Sequence, residues 1–211
     1  PIELNASPEA AAGRDIRTHT NTVSFDGTAT EDPDGDNLSY QWVFGDGNAA
    51  HGSVVSHTYR KAGKYRAVLK VNDQKGLNNS IDKDTVEVFI NNAPEAVLDV
   101  PAITCVGDTF RYDGTGSFDT DKSGGLTYTL NFGNGEQVQA ASGSYAYEKP
   151  GTYEIGFRVN DNEGLPNSIS RVTTSIEVVG MPRAEAGADK TVCLNEPVQF
   201  DASQSAMDGG T

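Results

Sequence analysis

Apolar and polar residues alternate along residues 38–44, and the alternation ends at the turn sequence Gly45-Asp46-Gly47. A period of two is typical of a β-strand with one buried face. The apolar face of this predicted strand carries Leu38, Tyr40, Trp42 and Phe44. Glycine and aspartate favour tight turns, so the strand is predicted to end in a turn at residues 45–47.

Similar alternating stretches recur along the whole chain, roughly every 8–12 residues, and no stretch has the period and capping signals of a helix. In the first half the strands are predicted at Ala10–Ala12, Val23–Phe25, Leu38–Phe44, Val54–Tyr59, Tyr65–Val71 and Val86–Ile90. In the second half they are predicted at Phe110–Tyr112, Leu126–Phe132, Tyr145–Tyr147, Tyr153–Val159 and Ile176–Val178. Many short strands in about 88 residues favour tandem all-β sandwiches of the immunoglobulin type.

The two halves of the chain are copies of one another with a period of 88 residues. Tyr59 matches Tyr147, and Val71-Asn72-Asp73 matches Val159-Asn160-Asp161. A fixed period of this kind is the signature of a repeat protein. We therefore predict the end of a preceding module over residues 1–7, complete modules over 8–92 and 93–180, and the first strands of a third module over 181–211. The chain reads as part of a longer array.

The charge balance excludes several function classes. Thirty acidic residues against 16 basic ones give a net charge of −14, without a cluster of lysine or arginine. Nucleic-acid binding requires a basic surface, so nucleic acid is not an expected partner. No apolar run approaches 18 residues, so membrane insertion is not expected either. Cys105 and Cys193 lie one repeat apart, which argues against a disulfide between them because bridged Cα atoms lie within about 7 Å.

The acidic loop before the central strand is the main candidate site. Asp32, Asp34 and Asp36 offer carboxylates at alternate positions, as calcium loops do, although the EF-hand pattern is not met. In a sandwich, the turn that carries Asp73 and the leading link that carries Asn5 reach the same pole. The alternative is that these residues are turn formers that make local side-chain to backbone hydrogen bonds.

The second module repeats this arrangement. Its predicted calcium ligands are Asp119, Asp121, Asp161 and either Asn91 or Asn92, with Lys122 as an intruding cation. A cation there would stiffen the short link between the two modules.

The sequence does not bring together the residues of a catalytic site. His19, His51 and His57 lack the spacing of a metal site or a triad, and His57 is predicted to be a structural hydrogen-bonding residue. Phe89 and Phe118 are the aromatic residues expected to lie outside the inward pattern. Two exposed rings are too few for a sugar-stacking platform.

Four motifs of the first module resemble the PKD (polycystic kidney disease) domain family. They are W-x-F-G-D-G at Trp42–Gly47, H-x-Y at His57–Tyr59, A-G-x-Y at Ala62–Tyr65 and V-x-D at Val71–Asp73. The second module resembles a divergent copy, with Leu130 in place of the tryptophan, Asn134 in place of the turn aspartate and Tyr145 in place of the histidine.

The resemblance implies immunoglobulin-like, extracellular and non-catalytic modules. Such domains act as spacers and interaction modules for other proteins or surface components, and some in bacterial collagenases bind Ca²⁺ at this pole. We therefore expect a structural or adhesive segment, with self-assembly into a stalk or fibre left open. The alternative is an accessory module that helps a secreted hydrolase to engage polysaccharide or protein.

Overall fold

The computed structural model describes residues 4–121 and 125–207. These residues form strands, turns and loops without any helix, and hence without a helix that could cross a membrane. The chain divides into two compact units. The first comprises Pro1–Ala93 with Asp119–Gly124 and Glu163–Ser168, and the second comprises Pro94–Phe118, Gly125–Asn162 and Ile169–Thr211.

The first repeat contains seven strands in two sheets. They are β1 (Ile16–Thr18), β2 (Thr22–Asp26), β3 (Ser39–Val43), β4 (Ala49–His51), β5 (Val54–Thr58), β6 (Gly63–Asn72) and β7 (Ile81–Ile90). The larger sheet has the order β1-β7-β6-β3-β4, and β2 pairs with β5 in the smaller one. β1 runs parallel to β7, whereas the other pairs are antiparallel.

The second repeat has the same topology. Its strands are β8 (Ile103–Cys105), β9 (Phe110–Asp113), β10 (Thr127–Asn131), β11 (Gln137–Val138), β12 (Ser142–Tyr145), β13 (Gly151–Asn160) and β14 (Ile169–Val179). The larger sheet has the order β8-β14-β13-β10-β11, and β9 pairs with β12. The predicted all-β, immunoglobulin-like sandwich is thus confirmed in both repeats.

The apolar face of β3 forms the centre of the first core. Trp42 is completely buried, and its ring centroid lies 5.1 Å from that of Phe25. Phe44 is 1% exposed, and its ring centroid also lies 5.1 Å from that of Phe25. In the second repeat the smaller Leu130 replaces Trp42 and is equally buried, so another residue must supply the missing volume.

The predicted first strand is wrong in its position. Residues 10–12 do not pair in the ladder: the backbone N–H groups of Ala10 and Ala12 donate to the Asp82 and Asp84 carboxylates instead, at 2.8 and 2.7 Å. The first strand is β1, which begins at Ile16. A run of alanines does not by itself distinguish pairing with a neighbouring strand from pairing with side-chain oxygens, because either can satisfy the backbone N–H groups.

Phe89 is not an exposed aromatic residue, contrary to the sequence expectation. It is only 7% exposed, and the Arg17 guanidinium lies 4.9 Å from its ring centroid. Long cationic side chains commonly cover apolar surface in this way. Phe118, the other predicted exception, is 47% exposed, as expected.

The tail differs from the complete repeats in its burial. The strands β15 (Pro182–Arg183) and β16 (Ala206–Met207) pair with each other, whereas residues 208–211 lie outside the described part of the chain. Phe200 is 84% exposed, although its counterpart Tyr112 is 4% exposed. Both cysteines are free, as the repeat spacing predicts.

The turn after β3 is held to β5 by a side-chain pair. His57 Nε2 lies 2.8 Å from Asp46 Oδ2, and its ring stacks on Phe44 with centroids 4.0 Å apart. In the second repeat Asn134 donates to the Tyr145 hydroxyl at 2.7 Å instead. The structural role predicted for His57 is therefore confirmed. The second repeat also joins this turn to the neighbouring strand by a side-chain hydrogen bond, but with different residues.

We expect Asp46 to make the first repeat sensitive to acid. Burial opposes ionisation of this carboxyl, but hydrogen bonds from Asn48 and His57 outweigh it and hold its pKa below the ordinary value of 3.8. A lowered pKa in the folded state contributes stability above pH 3.8, and this contribution is lost as the pH falls through the folded-state pKa. The difference in free energy of unfolding between wild type and Asp46→Asn should therefore shrink between about pH 5 and pH 2 in urea titrations.

The exposed Glu87→Gln variant is the control for the loss of one carboxylate. A constant difference between wild type and Asp46→Asn across this pH range would contradict the expectation.

Candidate metal centre

The acidic loop is a compact turn built by its first aspartate. Asp32 Oδ1 accepts the backbone N–H groups of Asp34 at 2.9 Å and of Asp36 at 3.3 Å. Gly35 adopts φ +73°, a value that favours glycine, and its N–H donates to the Asp32 carbonyl at 3.0 Å. The predicted turn role of these residues is therefore real, but it uses only one oxygen of the Asp32 carboxylate.

The three carboxylates of the loop suit a shared cation. One oxygen from each of Asp32, Asp34 and Asp36 lies within 4.8 Å of the others. Calcium–oxygen distances of about 2.3–2.6 Å allow two ligands of one ion to be up to about 5.2 Å apart. Asp32 Oδ2 is buried and has no hydrogen-bond partner among the described residues. An ionised oxygen in that position is costly unless a cation or a donor compensates it, so these residues fit a Ca²⁺ ion.

Asn5 and Asp73 reach the same pole but contact each other. Asn5 Nδ2 donates to Asp73 Oδ2 at 2.7 Å, and the Lys75 N–H donates to Asp73 Oδ1 at 2.9 Å. Asp73 is 2% exposed. Burial would raise its pKa, but hydrogen bonds from Asn5, the Lys75 backbone and Ser80 lower it below 3.8. The structure thus places Asp73 beside the leading link as an ionised acceptor, apart from the cluster of three carboxylates.

Sequence reasoning missed Lys75 and Asn79 at this pole. Lys75 Nζ lies 2.6 Å from Asp36 Oδ1, and Asn79 Nδ2 donates to the Asn5 carbonyl at 2.7 Å. Lys75 also lines an open cavity of about 500 Å³, together with Asn5, Asp34 and Asp36. One signal was present in the sequence, because Asn79 has an identical counterpart, Asn167, one repeat later.

The link into the second repeat is held by matching contacts. Asn167 Nδ2 donates to the Asn91 carbonyl at 2.8 Å, as Asn79 does to Asn5. The Asn92 N–H donates to Asp121 Oδ2, and the Asp121 N–H donates to Asp119 Oδ1 at 3.2 Å.

Asp161 of the second repeat is completely buried. Of the described residues, only the first loop brings three acidic ligand atoms within 4.8 Å. Lys122, the predicted intruding cation, lies outside the described part of the chain, as does Ser123 at the third acidic position of the loop.

The fold and the loop define a tandem, immunoglobulin-like repeat protein with a cluster of three carboxylates between the second and third strands of its first repeat. The family model of the PKD domain matches residues 5–88 and again residues 91–177. The chain therefore belongs to the PKD domain family.

Similar proteins include proteases that are much longer than this chain. "Collagenase ColA" of Clostridium perfringens is 29% identical over 147 residues, which cover 62% of this chain and 13% of the collagenase. "Pre-pro-metalloprotease PrtV" of Vibrio cholerae is 27% identical over 143 residues, covering 67% of this chain and 15% of that protein. The chain thus spans less than a sixth of either relative.

Similar solved structures include a PKD domain and a set of immunoglobulin domains. The crystal structure of the PKD1 domain from the Vibrio cholerae metalloprotease PrtV is 25% identical, covers 41% of this chain and 96% of that domain, and has a TM-score of 0.34. Sidekick-1 immunoglobulin domains 1–5 are 12% identical, cover 86% of this chain and 40% of that one, and have a TM-score of 0.54. The similarity to the Sidekick-1 domains shows only that the fold is immunoglobulin-like.

Proposed function

We propose that the chain is a non-catalytic segment of an extracellular protein, which spaces and orients the domains on either side of it. The observation that carries this proposal is a hydrogen bond that occurs in both repeats and fixes the segment leading into each repeat. Asn79 and Asn167 donate to the carbonyl groups of Asn5 and Asn91, at 2.7 and 2.8 Å. A spacer requires a defined path for the chain into each module, and hydrogen bonds that fix the link on its own module supply such a path.

Calcium binding at the first acidic loop is part of this proposal. Asp32 Oδ2, Asp34 and Asp36 would hold the ion, and Ca²⁺ supplies the positive charge that Lys75 otherwise brings to Asp36. Asp34 Oδ2 also accepts the backbone N–H of Ala6 at 2.5 Å, so the loop and the leading link share a carboxylate. An ion at the loop would therefore reinforce the hold on the link.

The calcium proposal is tested by isothermal titration and by thermal unfolding of the whole chain with Ca²⁺ or with a chelator. Calcium at about 100 times its dissociation constant should stabilise the first repeat by about 2.7 kcal/mol. Asp32→Asn retains Oδ1, the acceptor for Asp34 and Asp36, but replaces Oδ2 with an amide nitrogen that cannot bind the ion. We expect this variant to fold and to bind Ca²⁺ at least about tenfold more weakly.

The control for charge alone is Glu87→Gln, which removes a carboxylate from the exposed face of β7 and should leave the affinity unchanged. Absence of both a binding heat and a shift in melting temperature for the wild type would end the calcium proposal.

The proposed location and the second candidate function rest on the relatives. A collagenase and a pre-pro-metalloprotease support an extracellular location and an accessory role beside a hydrolase. In that role the chain would engage the substrate of the neighbouring enzyme. Retention of the chain on insoluble collagen, chitin or cellulose would favour this second function. Absence of binding to every one of the three would favour the spacer function.

A further inference from the structure

Two lysines stand directly opposite each other on the outer face of the first large sheet. Lys70 of β6 is in register with Lys83 of β7, and on its other side with Gln41 of β3. Gln41 is in turn opposite His51 of β4. These positions alternate with the buried Leu69 and Val71, so the row faces away from the core.

The second repeat carries a cation pair at the same place. Arg158 of β13 is in register with Arg171 of β14, and Thr129 of β10 takes the position of Gln41. The residues have changed from lysine to arginine, whereas the charge of both positions is the same. Cross-strand like charges directly opposite each other destabilise a sheet, so folding alone does not favour this pair in either repeat.

Neither pair is neutralised by an acidic side chain in the part of the chain that the structure describes. Among the described residues, none of these four cations takes part in an ion pair. The neighbouring rows on the same face are uncharged in both repeats. They are Val43–Val68–Thr85 and Ser39–Asn72–Ile81 in the first, and Asn131–Gly156–Thr173 and Thr127–Asn160–Ile169 in the second.

The same sheet uses opposite charges elsewhere. Arg66 is in register with Glu87, and the nitrogen–oxygen distance is 3.9 Å. The chain has 30 acidic and only 16 basic residues, so its composition does not explain why two cations face each other at equivalent positions of both repeats.

The surroundings of the first pair suit a polar ligand. An open groove of about 200 Å³ beside Lys70 is lined by Ser39, Gln41, His51 and Asn72. Their hydroxyl, amide and imidazole groups can both donate and accept hydrogen bonds. A ligand with hydroxyl groups and a carboxylate or sulfate could form hydrogen bonds with the groove and neutralise the lysine pair at the same time.

We infer that each repeat has an anion-binding subsite on this face, formed by Lys70 and Lys83 in the first repeat and by Arg158 and Arg171 in the second, for the acidic groups of a polysaccharide. A single cation pair in each repeat matches widely spaced acidic sugars. Nucleic acids and anionic membranes present dense phosphate, which a chain of net charge −14 repels at long range. The inference goes beyond the proposed function, because it requires neither calcium nor a neighbouring hydrolase.

The test measures binding of the whole chain to polygalacturonate and to hyaluronan, which carries one carboxylate per disaccharide, with neutral dextran as the reference polymer. A chelator is present throughout, so that failure of the calcium proposal does not affect the result. The wild type should bind at least one acidic polymer and not dextran, with an affinity that falls as salt increases. The quadruple variant Lys70→Gln, Lys83→Gln, Arg158→Gln, Arg171→Gln should bind at least about tenfold more weakly.

The matched control is Lys64→Gln with Arg66→Gln, compared with Lys70→Gln and Lys83→Gln alone. Both double variants remove two cations from the outer face of the same sheet, but only the second removes the pair. Because the pair is mutually repulsive, its removal should leave the melting temperature unchanged or raised, which separates lost binding from lost folding. Equal losses in the two double variants, stronger binding to duplex DNA or anionic vesicles, or no binding to either acidic polymer would overturn the inference.

Discussion

Replacement of Trp42 by alanine is expected to lower the free energy of unfolding of the first repeat by about 3–5 kcal/mol. The indole is completely buried, and its Nε1 has no hydrogen-bond partner among the described residues, so its contribution comes from packing alone. A repeat of this size has little stability in reserve, since small domains bury a smaller fraction of their surface. Calorimetry should show one of two transitions shifted to lower temperature.

The second repeat shows how the tryptophan can be replaced. Trp42 lies opposite Leu69 in the ladder, and Leu130 lies opposite Phe157 at the equivalent positions. The large aromatic side chain is thus on β3 in the first repeat and on β13 in the second. The Phe157 ring fills its site closely, because an added Cβ at Gly114 would lie only 2.3 Å from it. The two repeats therefore fill the same part of the core with a large side chain from different strands, β3 in the first repeat and β13 in the second.

This exchange can be tested by a double-mutant cycle in the first repeat. Trp42→Leu alone should leave a cavity, and Leu69→Phe alone should overpack the core. The double variant Trp42→Leu/Leu69→Phe should be more stable than the sum of the two single effects by about 1–3 kcal/mol. Strictly additive effects would show that the two positions do not share one volume.

The exchange also marks a limit of sequence reasoning. The loss of the tryptophan in the second repeat looks like the loss of a dispensable residue when each position is read by itself. Leu69 and Phe157 also look interchangeable, because both are apolar and occupy inward positions. Only the strand register shows that Trp42 faces Leu69 and that Leu130 faces Phe157.

The candidate site was predictable where its residues are close in sequence. The alternate spacing of Asp32, Asp34 and Asp36 is sufficient to bring three carboxylates together within one turn. The role of Lys75 was not predictable, because it comes from another loop and depends on a side-chain distance across the pole. Asn79 is repeated as Asn167, but the repetition alone does not show that its partner is the Asn5 carbonyl. The acidic loop is therefore a local feature of the sequence, whereas its neutralisation and its connection to the link are tertiary features.

The first glycine of the turn that ends β3, Gly45, should not tolerate even a small substitution. Gly45 adopts φ +80°, and an added Cβ would lie 2.6 Å from the carbonyl oxygen of Arg66 in the neighbouring strand β6. Gly45→Ala therefore combines an unfavourable left-handed conformation, which costs about 1–2 kcal/mol, with a clash against backbone that cannot rotate away. The total loss in free energy of unfolding should be about 2–5 kcal/mol in urea titrations.

Gly47, two residues later in the same turn, separates the two contributions. It adopts φ +93°, but nothing lies within 4 Å of the position that an added methyl group would occupy, so Gly47→Ala should lose only about 1–2 kcal/mol. The second repeat provides an independent copy of the experiment, because Gly133 would place a Cβ 2.5 Å from the Glu154 carbonyl oxygen while Gly135 has open space. Equal losses at Gly45 and Gly47 would mean that conformational strain, and not the close approach of β6, explains why glycine is required at the first position of the turn.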